Sequence, residues 1–164
     1  MNIDIRPILP EDVAAIAALA RVIWQATYPG IVPRDQIEYM LAQRYDHARL
    51  ADALEDPRKW LVQAFVDACR AGFACGEVCE GEFKLDKLYV HPDFQRQGVG
   101  GALVAHMAGI ASGAGYPCMI LAVNKRNEQA IRAYHKHGFS VREARKVDIG
   151  HGFVMDDYIM EKRV

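Results

Sequence analysis

The residues best suited to chemistry lie in two segments, each passing from an apolar strand through a polar loop into a helix. The first is Leu88-Tyr89-Val90-His91-Pro92-Asp93-Phe94-Gln95-Arg96-Gln97-Gly98-Val99-Gly100-Gly101-Ala102-Leu103. It reads as a strand end, a loop, a glycine turn and a helix start. The first amides of a helix have no intrahelical partner and carry the positive end of the helix dipole. Glycines there let a bulky anion approach the backbone, so the segment is suited to cradle phosphate. A dinucleotide fingerprint requires a third glycine where Leu103 stands, and a P-loop requires a lysine after the turn; neither is present. The second segment runs Leu121-Ala122-Val123-Asn124-Lys125-Arg126-Asn127 and continues through Tyr134 to Gly138-Phe139. Asn127 is placed to cap a helix, Gly138 to stop it, and Ala130, Ala133 and Tyr134 fall on one helical face.

The two segments, in this order, resemble the signatures of the GNAT superfamily of acyl-coenzyme A-dependent N-acetyltransferases. The resemblance is tight from Arg58 to Lys162 and loose before that. It implies acetyl-coenzyme A as cosubstrate and no metal. Gln95 opens the family's glycine motif, and Arg96, Gln97, Gly98, Val99, Gly100 and Gly101 would supply amides to the pyrophosphate. Backbone groups of Leu88, Tyr89 and Val90 would pair with the pantetheine arm in the manner of an added strand. Asn127 would contact that arm as well as, or instead of, capping its helix. The Tyr134 hydroxyl would lie near the thiol sulfur, the alternative being a purely packed ring.

Moving an acetyl group to an amine requires a neutral nitrogen, although a free alkylammonium has a pKa of about 10. It also requires a donor for the carbonyl oxygen and a proton for the leaving sulfur. Tyr134 suits the last role. Asp86, at even spacing from Leu88 and Val90 and therefore expected on their face of the strand, is the candidate base, through a water. A salt bridge with Lys84 or Lys87 is the competing role for it. Some members that act on protein N-termini carry a glutamate where this chain has Ala122, which counts against such a substrate. No nucleophile with an adjacent base is evident, so direct attack in a ternary complex is expected.

The stretches Trp24-Gln25-Ala26-Thr27-Tyr28-Pro29-Gly30 and Gly150 to Lys162 look like a subgroup that includes the spermidine (polyamine) acetyltransferases. Trp24 and Tyr28, one helical turn apart, can roof an acceptor pocket or simply pack in the core. Asp156 and Asp157 can attract a cationic amine or solvate a turn. The expected acceptor is therefore a small-molecule primary amine. The alternatives are a peptide or protein amine, or a non-catalytic sensor that binds acyl-coenzyme A.

The remaining composition sets limits. The chain has 164 residues, 51% hydrophobic and 25% charged, with a net charge of −1. This suits a single domain spanning residues 1–164 with one substantial core and gives no electrostatic footprint for nucleic acid. No apolar run approaches the ~18 residues of a membrane span, and the first residues lack a signal-peptide pattern, so a cytoplasmic protein is expected. Cys69, Cys75, Cys79 and Cys118 lack zinc-ligand spacing.

Positioning these residues requires a particular order of elements. Strands are expected at Asn2–Ile8, Trp60–Val66, Gly72–Cys79, Phe83–Val90, Cys118–Val123, Ser140–Ile149 and Phe153–Glu161. Helices are expected from Pro10 to Tyr28, from Pro33, from Asp46 to Glu55, from Gly98 to Ser112 and from Asn127 to Gly138. That order predicts an α/β fold with a mixed, mostly antiparallel sheet of about seven strands flanked by helices. The resemblance adds a central V-shaped splay between the strands ending near Val90 and Val123. It also raises the prospect of a homodimer through the terminal strand pair.

Overall fold

A computed structural model describes residues 1–164. Seven strands, β1 (Ile3–Pro7), β2 (Lys59–Val66), β3 (Cys69–Cys79), β4 (Glu82–Val90), β5 (Cys118–Asn124), β6 (Ser140–Gly150) and β7 (Phe153–Arg163), form one sheet. Its order is β1-β2-β3-β4-β5-β7-β6. Every neighbouring pair is antiparallel except β4 and β5. The five helices are α1 (Val13–Thr27), α2 (Arg34–Arg44), α3 (His47–Glu55), α4 (Val99–Gly113) and α5 (Glu128–Lys136). The mixed, mostly antiparallel sheet of seven strands expected from the order of elements is the one observed.

Local chemistry accounts for the helix ends. Asp12, ahead of α1, accepts from the Leu9 N–H at 2.9 Å. Asp46 caps α3 by accepting from the Arg49 N–H, and Asn127 caps α5 by accepting from the Ala130 N–H at 3.3 Å. Gly138, at φ +93°, takes the left-handed turn beyond α5. The periodic apolar positions of α1 (Val13, Ile16, Leu19, Ala20, Ile23, Trp24) are all buried.

Two cores hold the sheet between them. On one face, Leu103, Val104 and Met107 of α4 pack on Phe83, Leu85, Met119 and Leu121 of the central strands. On the other, α1 to α3 close over Phe73, with Ile23, Met40, Leu41 and Leu50 among the buried residues. Strand β6 is the free edge beyond β7, exposed from Ser140 to Asp148.

The sheet is incomplete at its centre. Strands β4 and β5 pair only at Phe83↔Met119 and Lys84↔Ile120 and then separate. The separation begins where β4 bulges. Across β3, Cys75 faces Lys87 while its neighbour Gly76 faces Leu85, so Asp86 is an extra residue in β4. A bulge bends its strand and raises the local twist. It also resets the side-chain alternation. Leu85, Leu88 and Val90 all pack on the α4 side, whereas Asp86 meets Arg44 of α2 and Tyr89 joins the α1–α3 core. Even spacing had put Asp86, Leu88 and Val90 on one face; the bulge separates Asp86 from the other two.

Candidate active site

The gap between β4 and β5 opens into a cavity of about 1150 Å³ lined by residues of α1, α2, α5, β4, β5 and β7. At one end stands the start of α4. Gly98 precedes that helix at φ +88° and no side chain caps it, so the first-turn amides remain free of side-chain partners. Gly100 lines the cavity. A Cβ placed there would meet only Val90 Cγ2, at 3.8 Å. Packing within the chain therefore does not require a glycine at 100, whereas an anion drawn close to the backbone does. The site fits a phosphate-bearing group at this end.

The loop that leads to the turn is fastened by its own glutamines. The Gln95 amide donates to the Val90 carbonyl at 3.2 Å and the Gln97 amide to the Asp93 carbonyl at 3.1 Å. Both side chains shape the loop, leaving backbone groups to face a ligand. Gln95, Arg96, Gly98, Gly100 and Gly101 line the cavity. Gln97 is exposed, and Val99 is buried with its side chain in the core under α4. Arg126, Arg132 and Lys136 line the cavity and bring positive charge to it, with Glu128 of opposite sign. Arg126 also donates to the carbonyls of Gly30 at 2.8 Å and Ile31 at 3.1 Å, tying the β5–α5 loop to the α1–α2 loop across the mouth.

Midway along the cavity are Leu88, Tyr89 and Val90 on one wall and Asn127 and Tyr134 on the other. Asn127 is buried and its carbonyl oxygen is engaged as the α5 cap. The Tyr134 ring packs edge-on to Phe139, with centroids 5.6 Å apart. Burial, with a smaller contribution from Tyr89, pushes its phenol well above the usual tyrosine range. Tyr134 therefore keeps its proton at neutral pH and can donate it.

The far end lies under α1 and α2. Trp24 is only 2% exposed, so its ring is a core element whose edge reaches the cavity wall. Its ring centroid lies 4.5 Å from that of Tyr28 and 5.8 Å from that of Tyr89, both rings tilted against it. The Tyr28 and Tyr89 hydroxyls are 3.5 Å apart, and burial, then the neighbouring Tyr89, holds the Tyr28 phenol protonated.

Charge at this end is concentrated around the bulge. Asp86 lies 2.6 Å from Lys87 Nζ, 3.3 Å from Arg44 Nη2 and 3.8 Å from Lys84 Nζ. Burial raises its pKa, but these cations outweigh burial and hold the carboxyl far below the usual range. Arg44 also reaches the Asp86 carbonyl, at 3.4 Å. Opposite, β7 turns Met155, Asp157 and Ile159 toward the cavity. Asp157 is 7% exposed, with its Oδ1 buried and without a hydrogen-bond partner.

The sequence-derived residues Tyr134, Asp86, Leu88, Tyr89, Val90, Asn127, Trp24 and Tyr28 thus all reach one cavity, together with the glycine turn. Arg44 and Arg126 had no sequence signal, because each acts through contacts more than 40 residues away in the chain. Lys84 sits two residues from Asp86 and was legible as its partner.

A family model for the acetyltransferase (GNAT) family matches residues 17–139. The chain belongs to the acetyltransferase (GNAT) family. It is an N-acetyltransferase by that membership. The chain is similar along its whole length to a spermidine N(1)-acetyltransferase of Thermoplasma acidophilum, with 26% identity over 167 residues that cover 99% of this chain and 98% of that protein. The crystal structure of PaiA N-acetyltransferase from Thermoplasma acidophilum in complex with coenzyme A superposes with a TM-score of 0.86. It shares 26% identity and covers all of both chains. The ribosomal-protein-S18-alanine N-acetyltransferase of Escherichia coli gives a TM-score of 0.71 at 24% identity over 99% of this chain and 94% of that one, a likeness of fold alone. No helix of the chain is long and apolar enough to cross a membrane.

Proposed function

We propose that this GNAT enzyme transfers the acetyl group of acetyl-coenzyme A to the primary amine of a small molecule, by direct attack with both substrates bound. The observation that carries the reading is the cavity itself. It joins a glycine-turn helix start, two unpaired strand edges and an aromatic end closed over by α1 and α2.

The α4 amides from Gly98 to Gly101, with Arg96 and Gln97 before them, hold the pyrophosphate. The free edge of Leu88–Val90 takes the pantetheine arm as an added strand would be taken, and Asn127 borders it from α5. Acetyl-coenzyme A supplies an acyl group activated as a thioester. Tyr134, protonated and facing the cavity, gives a proton to the departing sulfur. Tyr28 and the edge of Trp24 wall the acceptor. The cover of α1 and α2 over this end suits an amine on a slender chain better than one on a folded protein surface. The similarity to a spermidine acetyltransferase makes polyamines the first class to test.

The test is release of free thiol from acetyl-coenzyme A with a panel of monoamines, polyamines and lysine-containing peptides. Turnover with small amines is expected, and turnover with peptides alone overturns the acceptor class. Within that assay, Tyr134→Phe is expected to lower turnover by ~10²–10⁴-fold while leaving coenzyme A affinity near wild type. Wild-type turnover in that variant would reduce Tyr134 to a packing residue.

A further inference from the structure

The acceptor end contains a buried carboxylate with no partner in the chain, a costly arrangement for a fold to keep. Asp157 lies on β7 between Met155 and Ile159, all three facing the cavity, while the alternate residues Asp156 and Tyr158 face Lys125. Asp157 is more than nine-tenths buried, its Oδ1 has no hydrogen-bond partner, and no Lys, Arg or His nitrogen lies within ion-pair distance. An unpaired buried carboxylate is among the most expensive groups to bury.

The other acids near this end are engaged. Asp86 is surrounded by Arg44, Lys84 and Lys87. Asp156 is paired with Lys125, whose Nζ lies 2.9 Å from its Oδ1. Glu128 lies at the first turn of α5, on the cofactor side. In register across β6, Arg145 is held by Glu143. Asn124, the β5 partner of Asp157, brings no charge.

We propose that Asp157 is the acceptor-binding base of this enzyme: it pairs with the incoming ammonium and removes its proton. The proposal rests on the acetyl-transfer reading above and adds to it a residue and a proton path. Asp157 takes one N–H proton, leaving a neutral nitrogen whose lone pair forms the new C–N bond as the C–S bond of the acetyl thioester breaks. The second N–H proton reaches the sulfur through the Tyr134 hydroxyl, and Asp157 returns the first to solvent. One carboxylate offers a place for one ammonium. Asp86 then acts as a positioning residue, holding Arg44 and Lys84 beside the site.

The titration of Asp157 agrees with this role. Burial raises its carboxyl to about 6, helped by Asp156 and opposed by Lys84, Arg44 and Lys125. A base with a pKa near the working pH has both the right protonation state and useful proton affinity. Because the folded value lies above the unfolded one, the fold is most favoured while Asp157 is protonated. Stability falls as pH rises from about 4 through about 6 and stays lower above that range.

Asp157→Asn keeps the shape and removes the base. Its kcat/KM for the amine is expected to fall ~10²–10⁴-fold and to lose the limb of the pH–rate profile near 6, with an unchanged melting shift on adding coenzyme A. Its melting temperature should exceed that of wild type at pH 7.5 and approach it near pH 4, which an impaired fold would not produce. Asp157→Glu should recover part of the rate and the acid limb. Turnover of Asp157→Asn within twofold of wild type, or an unchanged acid limb, overturns the assignment and leaves acetyl transfer standing. Failure of wild type to release thiol with every amine, despite binding coenzyme A, overturns the functional reading and this proposal with it.

Discussion

At the scale of single residues, Asp86 and Asp157 show how environment divides labour between identical side chains. Both are largely buried and both reach the cavity, but three cations surround one and none pairs with the other. The cations hold the Asp86 carboxyl far below its usual range, so it contributes stability above the unfolded carboxylate pKa of about 4. That contribution is lost as pH falls toward the depressed folded value. Asp86→Asn leaves Arg44, Lys84 and Lys87 facing one another without a counter-charge, and a loss on the order of 3 kcal/mol is expected at neutral pH. Chemical denaturation at pH 7.5 and at pH 3 checks this. The gap between wild type and variant should narrow in acid, and a constant gap would mean that the carboxylate charge is not what holds the cluster. Trp24 carries a different lesson. Its spacing from Tyr28 allows either a pocket roof or core packing, and its 2% exposure makes it first a core residue whose edge also touches the cavity.

At the scale of elements, the start of α4 and the bulge in β4 define the site. The glycine turn was legible from residue types alone, because Gly98 must adopt positive φ and Gly100 leaves the cavity side of the first turn bare. Gly100→Val places a branched side chain where the phosphates approach. It should abolish the melting shift produced by coenzyme A while leaving the ligand-free melting temperature within a few degrees, since the only chain neighbour of a Cβ there is Val90 Cγ2 at 3.8 Å. Thermal unfolding with and without coenzyme A reads both quantities, and a shift equal to that of wild type removes the phosphate assignment from this turn. The bulge was not legible. Nothing in Leu85-Asp86-Lys87-Leu88 distinguishes an alternating strand from one with an inserted residue, and the insertion exists only relative to Cys75 and Gly76 on β3.

At the scale of the whole molecule, the sheet is two blades joined by little at the centre. Strands β1 to β4 and strands β5 to β7 meet through two parallel residue pairs, with Arg126 bridging the loops across the mouth. A ligand lying between the blades binds the native state alone and stabilises it by mass action. At about 100 times its dissociation constant, coenzyme A should add ~2.7 kcal/mol, roughly 5–10 °C in melting temperature for a chain of this size. NAD and ATP should produce no comparable shift, because the turn lacks a dinucleotide fingerprint and a P-loop lysine. An equal shift with NAD would overturn the cofactor assignment.

By itself, the sequence determined the elements, their order and the glycine turn at one end of the cavity. These depend on information that is local in the chain: apolar periodicity, a cap at Asn127, a stop at Gly138, and glycines at the start of α4. The strand boundaries from β2 to β7 followed from the same signals to within a few residues. The tertiary structure alone decided the charge pattern at the end of the cavity under α1 and α2. The partners of Asp86 come from α2 and both sides of a bulge, and the isolation of Asp157 depends on what β5, β6 and α2 fail to bring to it. Whether a carboxylate is paired or stranded is set by distances across the fold, and no spacing along one chain encodes them.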